Sequence, residues 1–130
     1  MNCLFDVNAL VALGFDHHQF HTRVANWVKA ESPALLTCSI TELGFVRILA
    51  QIPGHAISIA HAQTILTRLK KHRSLSHTFL PDDHDITHLP AWVKTPKQTA
   101  DGHLVQLARS NGAVLATLDE RIPSAYLIPR

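Results

Sequence analysis

The sequence predicts an α/β fold with helices on both faces of a mostly parallel sheet of four to five strands. Three observations carry this reading. Short apolar runs alternate with amphipathic helical stretches from one end of the chain to the other. Hydrophobic residues make up 46% and charged residues 17% of 130 residues, enough to build one core without disulfides or a structural metal. No repeat, low-complexity tract or linker divides the chain, so residues 1–130 are read as a single domain.

The elements follow in order. Residues 3–7 (CLFDV) read as the first strand, and 9–13 (ALVAL) as the start of a short helix. In 17–31 (HHQFHTRVANWVKAE), Phe20, Val24, Trp27 and Val28 recur at helical spacing, and Ser32-Pro33 stops the helix. Residues 34–38 (ALLTC) are the second strand. The next helix, SITELGFVRILAQI, takes Ser39 or Thr41 as N-cap and carries Leu43, Val46, Ile48, Leu49 and Ile52 as its apolar set. After the Pro53-Gly54 turn, 57–72 is a helix with Ile57, Ala60, Ile65 and Leu69 near one face. Residues 77–80 are a third strand, 84–89 a single helical turn, and 90–98 a proline-flanked loop. A helix runs from about Gln98 to Ser110, with Gly112 at its end. Residues 113–119 (AVLATLD) form a fourth strand and 125–128 (AYLI) a short fifth. Right-handed crossovers between parallel strands place the helices on both faces.

Composition excludes several classes. A formal charge of +2 is too mild to demand a polyanionic partner, although ten His add positive charge as pH falls through about 6.5. Cys3 and Cys38 have no zinc-finger or CxxC spacing and read as buried thiols, so nothing requires an oxidising compartment. The N-terminus lacks a basic segment ahead of its apolar run, and Asp6 interrupts that run, against a signal peptide. No segment approaches the roughly 18 apolar residues of a membrane span. The expectation is a soluble, cytoplasmic protein without a membrane partner.

The chemistry lies in the carboxylates. Asp6 stands inside an apolar run, where burial is costly unless the charge is paired or metal-bound. In an open parallel sheet, ligands bind beyond the carboxyl ends of the strands. Asp6 and Asp119 fall near the ends of the first and fourth strands; Glu42 and Asp101 fall in the first turns of two helices. Each has an ordinary explanation alone: a helix N-terminus favours Glu42 and Asp101, a turn suits Asp119, and a hydrogen-bonded buried acid suits Asp6. The topology nevertheless allows all four to meet at one edge of the sheet. Four carboxylates together need a cation, and all-oxygen ligands suit Mg²⁺ or Mn²⁺. Such an ion acidifies bound water and stabilises a phosphoryl transition state, which points to phosphodiester hydrolysis. The chain has no Gly-rich phosphate loop, which disfavours nucleoside-triphosphate hydrolysis.

Four stretches, in order, resemble the motifs of PIN-domain nucleases. "LFDVNAL" is similar to the first (D-x-N), "ITELGFVRIL" to the second, "ADGHLVQLA" to the third and "LATLDERI" to the fourth (T-x-D). The compact length resembles VapC-type toxins of toxin–antitoxin pairs. The resemblance implies a three-layer α/β/α PIN-like fold and an endoribonuclease. It implies Asp6, Glu42, Asp101 and Asp119 as catalytic acids and ligands of Mg²⁺ or Mn²⁺. Asn8 would orient the first acid, Thr117 matches the small hydroxyl before the last, and Arg47 would pair with an acid or contact phosphate. An RNA substrate, a VapB-like antitoxin and a homodimer are the implied partners. Two departures are small: Ala100 stands where Thr or Ser is common, with Thr99 available as cap, and Gly102 stands where Ala is usual.

Other features are weaker. The basic cluster Arg68, Lys70, Lys71 and Arg73 is a candidate RNA contact, although a helix C-terminus favours such charges anyway. Lys94 and Lys97, just before Asp101, are equal candidates. The pairs His17/His21 and His84/His88 have i,i+4 spacing but no third ligand at a zinc spacing, and Trp27 and Trp92 read as packing residues. Two other readings stay open: a PIN nuclease of RNA processing or DNA cleavage without an antitoxin, and a non-catalytic α/β binding module whose acids are structural.

Overall fold

The computed structural model describes residues 1–130. Five strands and five α-helices follow one another as β1 (Asn2–Phe5), α1 (Val7–Gly14), α2 (His21–Glu31), β2 (Ala34–Thr37), α3 (Ser39–Ala50), α4 (Ile59–Lys70), β3 (Ser76–Phe79), α5 (Thr99–Ser110), β4 (Val114–Thr117) and β5 (Tyr126–Leu127). All strands are parallel, in the order β3-β2-β1-β4-β5. The chain thus leaves β1 for one edge, then returns to build the other side, so β1 and β4 flank the point where the winding reverses.

Alternating side chains divide the core into two layers. Cys3, Phe5, Leu35 and Ala116 face one side, where Leu10 of α1, Val24 and Trp27 of α2, Phe45 and Leu49 of α3 and Leu66 of α4 cover them. Leu4, Leu36 and Leu115 face the other, under Leu104, Leu107 and Ala108 of α5. The three-layer arrangement is therefore lopsided, with four helices on one face and one on the other.

Several boundaries differ from the sequence reading. β1 stops at Phe5, and Asp6 is the N-cap of α1, its side chain accepting the Ala9 N–H. α2 begins at His21, because His18 Nδ1 captures the Phe20 N–H at 3.0 Å and turns the chain; His17 and His21 therefore share no helix face. Cys38, rather than Ser39 or Thr41, caps α3, and its own N–H donates to the Thr41 hydroxyl at 3.0 Å. α4 packs on α3 and buries Ala62 and Leu66; Ile65 and Leu69 of the expected stripe, and Ile57 just ahead of the helix, also lie against the core, and of that stripe Ala60 alone is exposed. Thr99 does not cap α5. It is that helix's first residue and donates to the Pro96 carbonyl, while Thr95 and Gln98 form the cap of the preceding 3₁₀ turn. Gly102 has a packing reason: a Cβ there would lie 2.2 Å from Val93 Cγ2, so the 90–93 loop can approach α5 only over a glycine.

Candidate functional site

Asp6 sits where β1 becomes α1, on the reversal of the sheet. Its backbone N–H still continues the ladder to the Ala116 carbonyl (3.0 Å) and its carbonyl already accepts from Leu10 (2.9 Å). One carboxylate oxygen accepts the Ala9 N–H at 2.8 Å, and the other accepts the Thr117 hydroxyl. Only 7% of Asp6 is exposed. Burial pushes its pKa up to about 6; the bonds from Thr117 and Ala9 oppose that, and the charges of Asp101 and Asp119 reinforce it.

Thr117 ties two acids together. It donates to Asp6, and its oxygen accepts the Asp119 N–H at 2.9 Å. Asp119 follows β4 and is forked by Arg121: Nε meets Oδ1 at 2.9 Å and a terminal guanidinium nitrogen meets Oδ2 at 3.0 Å. The Arg121 bonds hold the Asp119 carboxyl below its ordinary range. Asp101, in the first turn of α5, is half-buried. Its carboxyl is raised, first by burial and then by Asp119, with Arg121 opposing.

The three aspartates line one pocket of about 520 Å³ with Asn8, Leu43 and Arg47. No three His, Cys, Asp or Glu side chains are close enough, as they stand, to share an ion. The donor set still suits a hard cation. It is all oxygen, Asp101 and Asp119 raise the pKa of Asp6 and Asp119 raises that of Asp101, and Mg²⁺ usually takes only one or two carboxylates and keeps several waters.

Glu42 is not brought to this group. Its Oε2 accepts the Thr37 hydroxyl at 2.6 Å and pairs with Lys70 Nζ at 2.9 Å, on the α4 side of α3. Thr37 also meets His77 Nε2 at 2.8 Å, so Glu42, Lys70, Thr37 and His77 form a separate network. Helix geometry explains the separation: Leu43 and Arg47 turn toward the aspartates, while Glu42 faces α4. Asn8 lines the pocket but makes no bond to Asp6, whose orientation is set by Thr117 and Ala9 instead. Arg47 is exposed, borders both the aspartate pocket and the α3–α4 groove, and pairs with no acid. Lys97 lies in a smaller cavity beside Asp101 and Asp119; Lys94 is exposed outside it. In the basic cluster, Arg68, Lys71 and Arg73 are exposed, and Lys70 is taken by Glu42.

Residues 3–126 match the PIN domain. Ribonuclease VapC38 of Mycobacterium tuberculosis is 40% identical over 121 residues, which span 89% of this chain and 84% of the relative. The chain belongs to the PIN domain family. Within it the relatives are VapC proteins: Ribonuclease VapC29 of the same species is 33% identical over 99% of this chain and 98% of its own. The crystal structure of VapC20 from M. tuberculosis, described as a Sarcin-Ricin loop cleaving toxin, superposes with a TM-score of 0.69. It covers 98% of this chain and 100% of the other at 12% identity. VapBC2 from Rickettsia felis, bound to a DNA fragment from its promoter, superposes at 0.63 with 14% identity, covering 98% and 97%. These superpositions show the PIN fold.

Arg121 and Thr37 bond to acids of the motifs, and His77 to Thr37, without being assigned a role by those motifs. Arg121 had a signal: an Asp-x-Arg spacing after a strand allows a turn in which the Asp carboxylate accepts the Arg N–H, here at 2.9 Å. Thr37 and His77 had none, because their partners lie on other elements.

Proposed function

We propose that this PIN protein is a divalent-metal-dependent endoribonuclease, the toxin of a toxin–antitoxin pair. The observation that carries the reading is Asp6, buried at the reversal of the sheet and facing Asp101 and Asp119 across one pocket. A fold needs no such trio; like charges around one pocket destabilise it, and a bound cation relieves the cost. The names of the relatives support RNA as the substrate.

Asp6, Asp101 and Asp119 hold Mg²⁺ or Mn²⁺, with Glu42 outside that set. When bound, the ion acidifies an attacking water and stabilises the phosphoryl charge. The chain supplies the rest. Thr117 and the Ala9 N–H hold Asp6 in one orientation, and Thr117 fixes the backbone of Asp119 at the same time. Arg47, unpaired at the pocket wall, is suited to a phosphate oxygen of the strand. Lys97 and Lys94 extend the positive edge along the approach to Asp101.

An inhibitory partner is supported by a second feature. Leu43, Ile59 and Phe79, exposed at 70%, 54% and 43%, surround a groove of about 800 Å³ between α3 and α4. An apolar groove of this kind beside a nuclease pocket suits a protein inhibitor. A homodimer in the cytoplasm completes the proposal, on the strength of the VapC resemblance, and a sedimentation measurement tests the dimer.

The deciding experiment titrates Mg²⁺ and Mn²⁺ into antitoxin-free protein and into Asp6→Asn, following heat of binding and cleavage of a pool of cellular RNAs. Binding and cleavage in the wild type, both lost in the variant, are expected. Well-folded wild type that binds neither ion overturns the reading.

A further inference from the structure

Arg121 engages both oxygens of Asp119, an acid of the proposed cation site, through its guanidinium and its backbone N–H together. A metal ion approaching Asp119 must therefore compete with this fork. The competitor is free to leave, because the Arg121 side chain is 86% exposed and makes no other bond. Next to it lies a cavity of about 210 Å³, walled by Trp92, Lys97, Gln98 and Ile122, and sharing Asp101 and Asp119 with the acid pocket. Lys97 is exposed and unpaired there. Beside two carboxylates, two cations in a small polar cavity open to solvent suit a phosphodiester oxygen, with a guanidinium offering the planar fork that phosphate accepts.

We propose that Arg121 is a displaceable counter-ion: it neutralises Asp119 while the cation is absent and, once released, binds with Lys97 the RNA phosphate adjacent to the one being cleaved. The inference rests on the metal-nuclease reading and assigns within it a second phosphate subsite. Arg121 acts there as a substrate-positioning residue. It also gives the site an order, since cation binding frees the side chain that grips the strand.

The two halves of the proposal predict opposite signs for one substitution. In Arg121→Ala, Mn²⁺ affinity measured by calorimetry should rise about two- to five-fold, the range expected on removing one exposed ion pair. Affinity for a single-stranded RNA, read by stopped-flow mixing before turnover, should fall. The slope of log affinity against log salt should become shallower by about 0.7, one phosphate contact on a single strand. Lys97→Ala should lower RNA affinity in the same way and leave Mn²⁺ affinity unchanged. Arg121→Lys should keep the salt slope and lose the fork. Weaker Mn²⁺ binding in Arg121→Ala overturns the proposal, because Arg121 would then be a support for Asp119. An unchanged salt slope overturns it as well. Wild type is run beside each variant: metal binding and cleavage there, with variants that behave like it, sink this inference alone, whereas wild type without either sinks the nuclease reading and this inference together.

Discussion

Asp6 adds a pH response of its own to the stability of the chain. Its folded-state pKa of about 6 stands above the ordinary 3.8, a difference worth about 3 kcal/mol. The sign follows from linkage: the folded state binds this proton more tightly than the unfolded state. The stabilisation is complete below about pH 3.8 and is lost as pH rises through about 6. Urea unfolding of metal-free wild type, compared with Asp6→Asn, should show a gap that closes toward pH 4. Above pH 6 the variant should be the more stable by up to about 3 kcal/mol. A variant less stable than wild type at pH 7 would show that the Thr117 and Ala9 bonds outweigh burial. Gly102 gives a second test. Alanine gains about 1 kcal/mol in helix propensity, yet its Cβ would meet Val93 at 2.2 Å, and overpacking costs about 1–3 kcal/mol. Gly102→Ala should therefore lose about 1 kcal/mol by denaturant midpoint, and Gly102→Ala/Val93→Ala should recover it; a single variant more stable than wild type rules the clash out. The oddity of Asp6 was legible from its apolar neighbours. Motif resemblance names Thr117 but gives Asn8 as the residue that orients Asp6, because a contact spanning 111 positions leaves no local pattern.

Among the elements, the alternation of strands and helices was legible because each carries its own period of apolar residues. What failed was decided by neighbours or by single hydrogen bonds. α4 keeps Ile65 and Leu69 against the core as their spacing predicts, but its buried centre is Ala62 and Leu66, and Ala60 is exposed, because the helix packs mainly on α3. Spacing places Leu43 in the apolar set of α3, and the structure leaves it 70% exposed at the rim of two pockets. Topology and motif alike group Glu42 with the aspartates, and the sequence holds no sign that Lys70, 28 positions on, pairs with it. That ion pair joins α3 to α4 with side chains only 20% and 26% exposed, so it should hold the two helices in register. A double-mutant cycle of Glu42→Gln and Lys70→Met, read by denaturant unfolding, should give a coupling of about 1 kcal/mol or more, above that of an open surface pair. The same Glu42→Gln should leave Mg²⁺ affinity within about two-fold of wild type, a change of less than ~0.5 kcal/mol. A ten-fold loss of affinity would place Glu42 among the ligands and the Lys70 pair as one of two arrangements.

The winding of the whole chain brings these pieces together. β1 and β4 are neighbours although more than a hundred positions separate Asp6 from Asp119, so the pocket closes only when the last third of the chain has docked on the first strand. Folding must therefore assemble three carboxylates that repel one another, and any ligand that relieves the repulsion stabilises the entire fold rather than one loop. Linkage makes this quantitative. An ion that binds only the folded state adds about 2.7 kcal/mol when its concentration is one hundred times its dissociation constant. For a domain of this length that corresponds to a rise of roughly 10 °C in Tm. Mn²⁺ should produce such a rise at pH 7.5 and a smaller one at pH 5, where protons already neutralise Asp6. Asp6→Asn should start from a higher Tm without metal and gain little from Mn²⁺, so that the two proteins converge as the ion is added. Differential scanning calorimetry across a Mn²⁺ series distinguishes this from a structural role for the acids: parallel curves, with both proteins shifted equally, would mean that the ion binds elsewhere and that the three acids are held by something other than a cation.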